Sequence, residues 1–527
     1  MKKILLAALA ITSPAAIFAQ SAVDAYSLSQ TETRGTARFM AMGGAFTALG
    51  GDLSSITQNP AGIGVYRRSE IGATLDITPS KFTTQSPSDK ISRSQTKAAC
   101  NNFGYIGTIR LDGALRTFSW GASYNRVASF DRVYDAYNIP TQTSLSNYIA
   151  AFTDAPENEL NFGDGYNPYQ DSGADWMSIL AYNSFMINPD GNGYRGLYQN
   201  GTEGDAYSQV RESGYVDEYN IDFGGNVSDV VYWGIGFGIT DLSYNQRAVY
   251  SESMKDAMIA SEQGMVNGNA GFELRNWRSI SGSGWNLKAG LIVKPVNEFR
   301  IGIAVHTPTW YSLSQSGYAE VAYSYLNPAA AGSDSNPLAG TENTDNSYYN
   351  FHINSPWRLM IGAAAVIGNQ AIVSLDYERQ AYNNMKVKYQ DDWGNFVNDD
   401  YVNGDIKDYF KASNIIRVGA EYRVTPAFSV RAGYSYATTT TKEEADNGQL
   451  EIYTSGTNPA YTFNKDVNSI SFGLGYRYQA FYIDAAYVYR NRKSTYHAYT
   501  DFQGNKAPTA ELTQTSNSII LSAGFKF

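Results

Sequence analysis

Catalysis needs a nucleophile, a base or a metal ligand at workable spacing, and this sequence offers few. Its three histidines, His306, His352 and His497, are scattered, and no Gly-x-Ser-x-Gly elbow, His-Glu-x-x-His pair or EF-hand loop occurs. The single cysteine, Cys100, permits neither an internal disulfide framework nor a thiolate zinc site. Glycine sets at 234–238 (GIGFG) and 473–475 (GLG) lie inside alternating segments, whereas a phosphate loop needs a strand-to-helix turn. His306, beside Thr307 and Pro308, reads as a polar residue at a strand end, with a haem ligand as the rarer alternative. The pattern argues against an enzyme and implies no cofactor and no metal. A lipid-hydrolysing barrel with an unmarked Ser-His pair is the one catalytic reading left.

The elements that hold these residues are those of a membrane barrel. Residues 1–19 form a leader: Lys2 and Lys3, an apolar run from Ile4 to Ile11, and a small residue, Ala19, after which cleavage is expected. Beyond it no apolar run approaches the length of a helical span, although 43% of residues are hydrophobic. A net charge of −10 with no basic block argues against nucleic-acid or anionic-lipid binding.

The chain ends on a strand, with Ile519, Leu521, Ala523, Phe525 and Phe527 on one face and Ser518, Ser522, Gly524 and Lys526 on the other. The pattern recurs: Trp233, Ile235, Phe237 and Ile239 oppose glycines, and Val373, Leu375 and Tyr377 oppose Ser374, Asp376 and Glu378. An outward apolar face on strand after strand is what lipid demands, and charges on the opposite face predict a wet lumen. Such segments number about fourteen, near residues 70–82, 102–110, 117–127, 217–227, 231–243, 285–293, 298–308, 357–366, 370–380, 413–423, 427–438, 468–478, 480–490 and 517–527. Residues 271–278 and 318–325 are ambiguous, so about sixteen stays open. Short links after even-numbered strands and long polar ones after odd-numbered strands predict an all-β transmembrane antiparallel barrel with both termini on the periplasmic side.

Residues 20–69 are too few for a domain with its own core. Yet Phe39, Met40, Met42, Phe46, Leu49, Leu53, Ile56, Ile63 and Val65 need burial, and the barrel lumen is the cavity at hand. The reading is therefore a signal peptide (1–19), an N-terminal hatch plugging the lumen (20–69) and a barrel (70–527). Within the hatch, Pro60 fixes its own φ and forces Asn59 out of the helical region, while the Asn59 amide can bond nearby backbone in a tight turn. Residues 38–48 (RFMAMGGAFTA) and 51–62 (GDLSSITQNPAG), centred on Asn59, Pro60, Ala61 and Gly62, resemble the hatch of the outer-membrane long-chain fatty-acid transporters, the FadL/TodX-like family. Residues 300–308 (RIGIAVHTP) resemble a strand of that family ending in a Ser/Thr-Pro corner, and 356–358 (PWR) the start of the next. The resemblance implies fourteen strands, capture of hydrophobic ligands at the outer loops, and lateral release through a gap made by an inward strand kink. The hatch turn is then either a scaffold or a moving gate.

Gly121, in the third strand, is the candidate for that kink, because glycine weakens a strand and often marks a bend. Leu145, Tyr148, Ile149 and Phe152 fall at helical spacing in the longest loop, Trp176 opens a second helix with Ile179 and Leu180, and Met254, Ala257 and Met258 predict a third, with Ser253 and Asp256 at capping-box spacing. These helices either pack on themselves or form a greasy capture groove in which methionine would suit varied ligands. The expected partners are a hydrophobic small molecule and outer-membrane lipid with lipopolysaccharide, and the expected state is a monomer. A haem receptor, a general polar porin and an adhesin-type barrel remain as alternatives.

Overall fold

The computed structural model describes residues 21–153, 160, 165–191, 193–261, 264–327, 338–368, 370–391, 393–500 and 506–527, so the expected leader lies outside the described residues. Fourteen antiparallel strands close into a barrel. They are β1 (Glu70–Gln85), β2 (Lys90–Arg110), β3 (Leu115–Ser129), β4 (Glu203–Val227), β5 (Val231–Ser261), β6 (Gly264–Val296), β7 (Phe299–His306 and Trp310–Leu326), β8 (Ser347–Asn354 and Arg358–Ile367), β9 (Ala371–Gln380 and Lys386–Gln390), β10 (Ser413–Arg423), β11 (Phe428–Ala437), β12 (Tyr461–Tyr478), β13 (Phe481–His497) and β14 (Thr509–Lys526). Closure comes from β1 pairing with β14, from Glu70 opposite Lys526 to Gln85 opposite Glu511. Residues 271–278 and 318–325 are the far ends of the long strands β6 and β7, so fourteen is the count.

Alternation explains the wall. On β5, Ile235, Phe237 and Ile239 are 54%, 38% and 47% exposed, while the glycines between them are buried against the interior. The same outward band runs through Leu75 and Ile77, Phe223, Leu291, Ile303, Leu375, Val418, Leu474, Ile483 and Leu521. Successive strands join by short turns at one end; at the β4–β5 turn Ser228 and Asp229 both take positive φ, the geometry a tight hairpin needs. At the other end the expectation of uniformly long links is corrected: β1 joins β2 through residues 86–89 alone and β5 runs into β6 across 262–263, because those strands extend far beyond the lipid band, while residues 130–202 make the longest link, between β3 and β4. β7 does not end at Pro308. It pauses over residues 307–309 and continues, and β8 and β9 pause beside it at Pro356 and at Tyr382–Asn384, because proline cannot donate to the ladder. Thr309 and Ser355 restore the lost pairing, with a 2.8 Å bond from the Thr309 amide to Ser355 Oγ and a 3.0 Å bond from the Ser355 amide to the Thr309 carbonyl.

The N-terminal segment fills the lumen on two levels. Helix α1 (Ala22–Leu28) starts from a capping box between Ser21 and Asp24. It lies toward the long-loop end, where Tyr26 stacks on Phe410 at 4.8 Å among Phe463, Leu313 and Ile280. Residues 37–65, with helix α2 (Ala37–Ala41), fill the short-turn half. Phe39, Met42, Phe46, Leu53, Ile56 and Ile63 are all buried there. Lumen-facing glycines let hatch backbone lie against the wall: a Cβ on Gly302 would strike the Thr47 carbonyl, and one on Gly234 the Pro60 carbonyl.

The expectation of a wet lumen face is corrected here. Asp376, Glu378, Arg417, Glu421 and Arg431 are buried, because the hatch occupies the space water would take. All but Asp376, which accepts from the hatch instead, are ion-paired: Glu378 pairs with Arg358 at 2.7 Å and Arg417 at 2.6 Å, and Arg431 pairs with Glu421 and Asp484, both at 2.6 Å. Arg38 of the hatch joins through Glu421 at 2.8 Å.

Helices α3 (Leu145–Phe152) and α4 (Trp176–Asn183) match the predicted spacing. The third predicted helix does not form. Met254, Ala257 and Met258 lie in β5, where a bulge between Met254 and Ala257, with Asp256 at φ 54°, shifts the strand's phase. Met254, Ala257 and Ile259 therefore all face inward, a strand spacing that imitates a helical one.

Candidate functional site

Asn59 ties the hatch together. Wholly buried, it accepts a bond from the Ala61 amide at 3.0 Å through Oδ1 and donates from Nδ2 to the Thr47 carbonyl at 2.6 Å. Pro60 opens the turn of 3₁₀ helix Pro60–Val65, and the Gly62 amide bonds the Asn59 carbonyl at 2.9 Å. The wall holds both strands of this knot. Asp376 accepts from the Thr47 amide at 2.8 Å and from Gln58 Nε2 at 3.3 Å, and His306 Nε2, facing the Gln58 carbonyl at 3.0 Å, must donate. That bond occupies the ring nitrogen, so His306 braces the hatch. His352 stacks on Phe396 and His497 on Tyr461, and no group of three or more metal-ligating residues occurs among the described residues.

Gly121 stands in unbroken pairing, with Ile106 on one side and Asp222 on the other. A Cβ there would meet Ile106 at 3.2 Å and hatch residue Ile63 at 3.3 Å, so the glycine makes room for the hatch. The β3–β4 register shifts before it, at Leu115/Thr117, and again further along, between Arg126 and Ala128. There the wall parts. β2 and β3 pair from Arg110–Thr117 up to Asn102–Asn125 and no further; beyond that, β2 pairs with β1 alone and β3 with β4 alone.

Side chains clasp this seam. Asn102 Nδ2 donates to Asn125 Oδ1 at 2.6 Å at its foot, Lys97 pairs with Asp131 at 2.9 Å across it, and Arg93 pairs with Asp135 at its head, where Asp135 belongs to the short strand Arg132–Pro140. Cys100 and Ala98 on the seam's edge lie opposite Leu75 and Ile77 of β1, two residues of the outward apolar band, so the foot of the seam lies at the level of lipid.

Behind the seam lies a cavity of about 310 Å³ between the two levels of the hatch. Gln95, Lys97 and Ala99 line it from one edge, Arg126, Ser129 and Asp131 from the other, and Thr78, Phe82 and Ser518 from the wall beyond. Its polar centre is Glu32, which Arg34 and Arg492 contact at 2.8 Å and Arg490 at 3.4 Å. Burial alone would raise Glu32; the three guanidinium groups outweigh it and hold the carboxyl well below the usual carboxylate range. Sequence reasoning missed this cluster, since Glu32 and Arg490 are 458 positions apart by their numbers and only barrel closure brings them together.

The proposed capture residues lie at the long-loop end. Leu145, Tyr148, Ile149 and Met254 are buried in one cap cluster with Leu180, Phe272 and Tyr499; Phe152 packs on that cluster partly buried, and Trp176 does so on a smaller one around Ile179. Met258 is half-buried, its amide bonded to the Leu197 carbonyl at 2.8 Å. The structure thus brings five of these residues, Leu145, Tyr148, Ile149, Phe152 and Met254, into one packed cap.

Solved structures share the overall fold. A Pseudomonas aeruginosa FadL homologue aligns over 94% of this chain and 99% of its own, with a TM-score of 0.51 and 12% identity. The chain shares that fold. A deltaS2 mutant of TodX, a monoaromatic hydrocarbon channel, aligns over the same shares with a TM-score of 0.51 and 13% identity. No family model matches the sequence, and no curated protein matches it.

Proposed function

We propose that the protein is an outer-membrane channel for passive uptake of hydrophobic small molecules, with a long-chain fatty acid or a similar single-headed amphiphile as its cargo. The long loops face outward and the short turns face the periplasm. The observation that carries the reading is the seam: a break in the ladder at lipid level with a cavity directly behind it. A polar porin needs a continuous wet path, and here hatch side chains fill the lumen. The fold neighbour TodX is a monoaromatic hydrocarbon channel, and cargo of apolar character suits a side exit into a bilayer. The charged lining adds a requirement: Arg34, Arg490 and Arg492 around Glu32 favour a molecule whose head group is a carboxylate over a plain hydrocarbon.

In this reading the cap of α3, α4 and the far end of β5 captures the ligand, with Leu145, Tyr148, Ile149, Phe152, Trp176, Met254 and Met258 opening to receive it. The Asn59–Gly62 turn sets the hatch closed. The test uses Lys97→Cys with Asp131→Cys in a Cys100→Ala background, joined by a short bismaleimide. Uptake of a fluorescent dodecanoate by cells is expected to fall to that of cells without the barrel on cross-linking, and to be normal without it. Uptake that is unchanged after complete cross-linking places the exit elsewhere.

A further inference from the structure

A second cavity, of about 360 Å³, opens at the short-turn mouth below the hatch, and its lining divides by chemistry. Leu49 and Val65 of the hatch with Val366 and Ile372 of the wall form an apolar floor. Around it stand Arg67, Arg68, Arg300 and Arg477, with Arg38 and Lys526 beside them, and no acidic residue is among the lining. Two of these cations are already neutralised, Arg38 by Glu421 and Lys526 by Glu70 at 2.7 Å. Arg67 reaches Asp229 only at 3.5 Å with both side chains largely exposed, where such a pair is screened. Among the described residues no ion pair neutralises Arg68, Arg300 or Arg477.

Arg300 is held in place all the same. Its Nη1 donates to the Leu49 carbonyl at 2.9 Å, which pins the guanidinium to the hatch turn, while its Nε is sequestered without an acceptor. Guanidinium groups that lack a direct ion pair and gather on one rim repel one another, and a bound anion relieves that repulsion. Guanidinium also matches the fork of a carboxylate or phosphate. An apolar floor beneath such a rim suits a chain attached to that head.

We propose that this mouth binds an anionic amphiphile, an acyl chain ending in a carboxylate or phosphate, with its head on Arg300 and Arg477 and its chain along Leu49, Val65 and Ile372. Two sources carry this chemistry: a free fatty acid and an anionic phospholipid of the adjacent leaflet. The site rests on its own residues and not on transport through the seam, so the two readings fail separately.

The test reads occupancy from the alkylation rate of Val366→Cys in a Cys100→Ala background, with the full chain in phosphatidylcholine nanodiscs. Dodecanoate, or phosphatidylglycerol built into the disc, is expected to slow alkylation, and dodecanol is not. Slowing by dodecanoate alone assigns the free acid, and slowing by phosphatidylglycerol alone assigns the lipid; either supports the site. Arg300→Gln with Arg477→Gln is expected to abolish the slowing. Should the double variant lose heat-modifiable migration, the exposed Arg477→Gln alone carries the comparison. Equal slowing by dodecanol, slowing that persists in the arginine variant, or none from either anion overturns the proposal.

Discussion

At the scale of single residues, Asn59 is the hatch position with most at stake in its hydrogen bonds. Its amide serves two turns of the hatch at once, and the wall adds Asp376 and His306 to the same knot. Asn59→Ala leaves the Ala61 amide and the Thr47 carbonyl unpaired in a dry interior, at a cost of about 1–3 kcal/mol for each buried group. The barrel should still show heat-modifiable migration, since no ladder bond is touched, whereas amide exchange over 44–65 should accelerate. Unchanged exchange there would make the bond dispensable. The residue types of this knot were legible: Asn before Pro in an apolar, turn-rich stretch announces a fixed, buried turn. Its wall partners were not. Asp376 and His306 lie in distant strands, and the polar face they share looked like one meant for water.

Among the elements, strands were legible wherever one face met lipid, because a period of two survives any loop length. Helices α3 and α4 were legible for the matching reason at a period near 3.6. Two irregularities were not legible, for one cause. A bulge at Asp256 turned strand spacing into a false helix, and the β2–β3 ladder stops at Asn102–Asn125 beside a register shift of β3 against β4 at Arg126/Ala128. Backbone irregularity depends on what packs behind the strand, and the hatch is not visible in the strand's own residues.

Helix α5 (Asp400–Tyr409), in the loop between β9 and β10, supplies a prediction of its own. It brings Ile406 and Tyr409 into the cluster that holds α1. Burial, aided by the neighbouring Asp408, raises the Asp405 carboxyl to about 7. A carboxyl raised above its unfolded value stabilises the docked helix at low pH, and that contribution is lost as pH rises through about 7. Amide exchange over 400–409 should therefore be slower at pH 5.5 than at pH 8.5 after correction for intrinsic rates, and Asp405→Asn should remove the difference. A dependence that survives the substitution would assign it to another group.

For the whole molecule, the barrel was legible in the recurrence of one-faced apolar strands joined by short turns at one end, and the plug in the mismatch between an apolar N-terminal segment and its short length. The seam was not, since it is the absence of bonds between two strands that each look regular alone. Under the proposed function, plug and seam make opposite demands on polar and amphiphilic solutes: the first would block a continuous aqueous path, and the second, backed by a cavity, would serve as a side exit. The most direct measurement compares the two solutes in one preparation, asymmetric proteoliposomes with lipopolysaccharide in the outer leaflet, loaded with a sugar and presented with a labelled oleate. Oleate uptake is expected to be faster than in protein-free vesicles, with the sugar retained. Saturable sugar release with no gain in oleate uptake would contradict the proposed function.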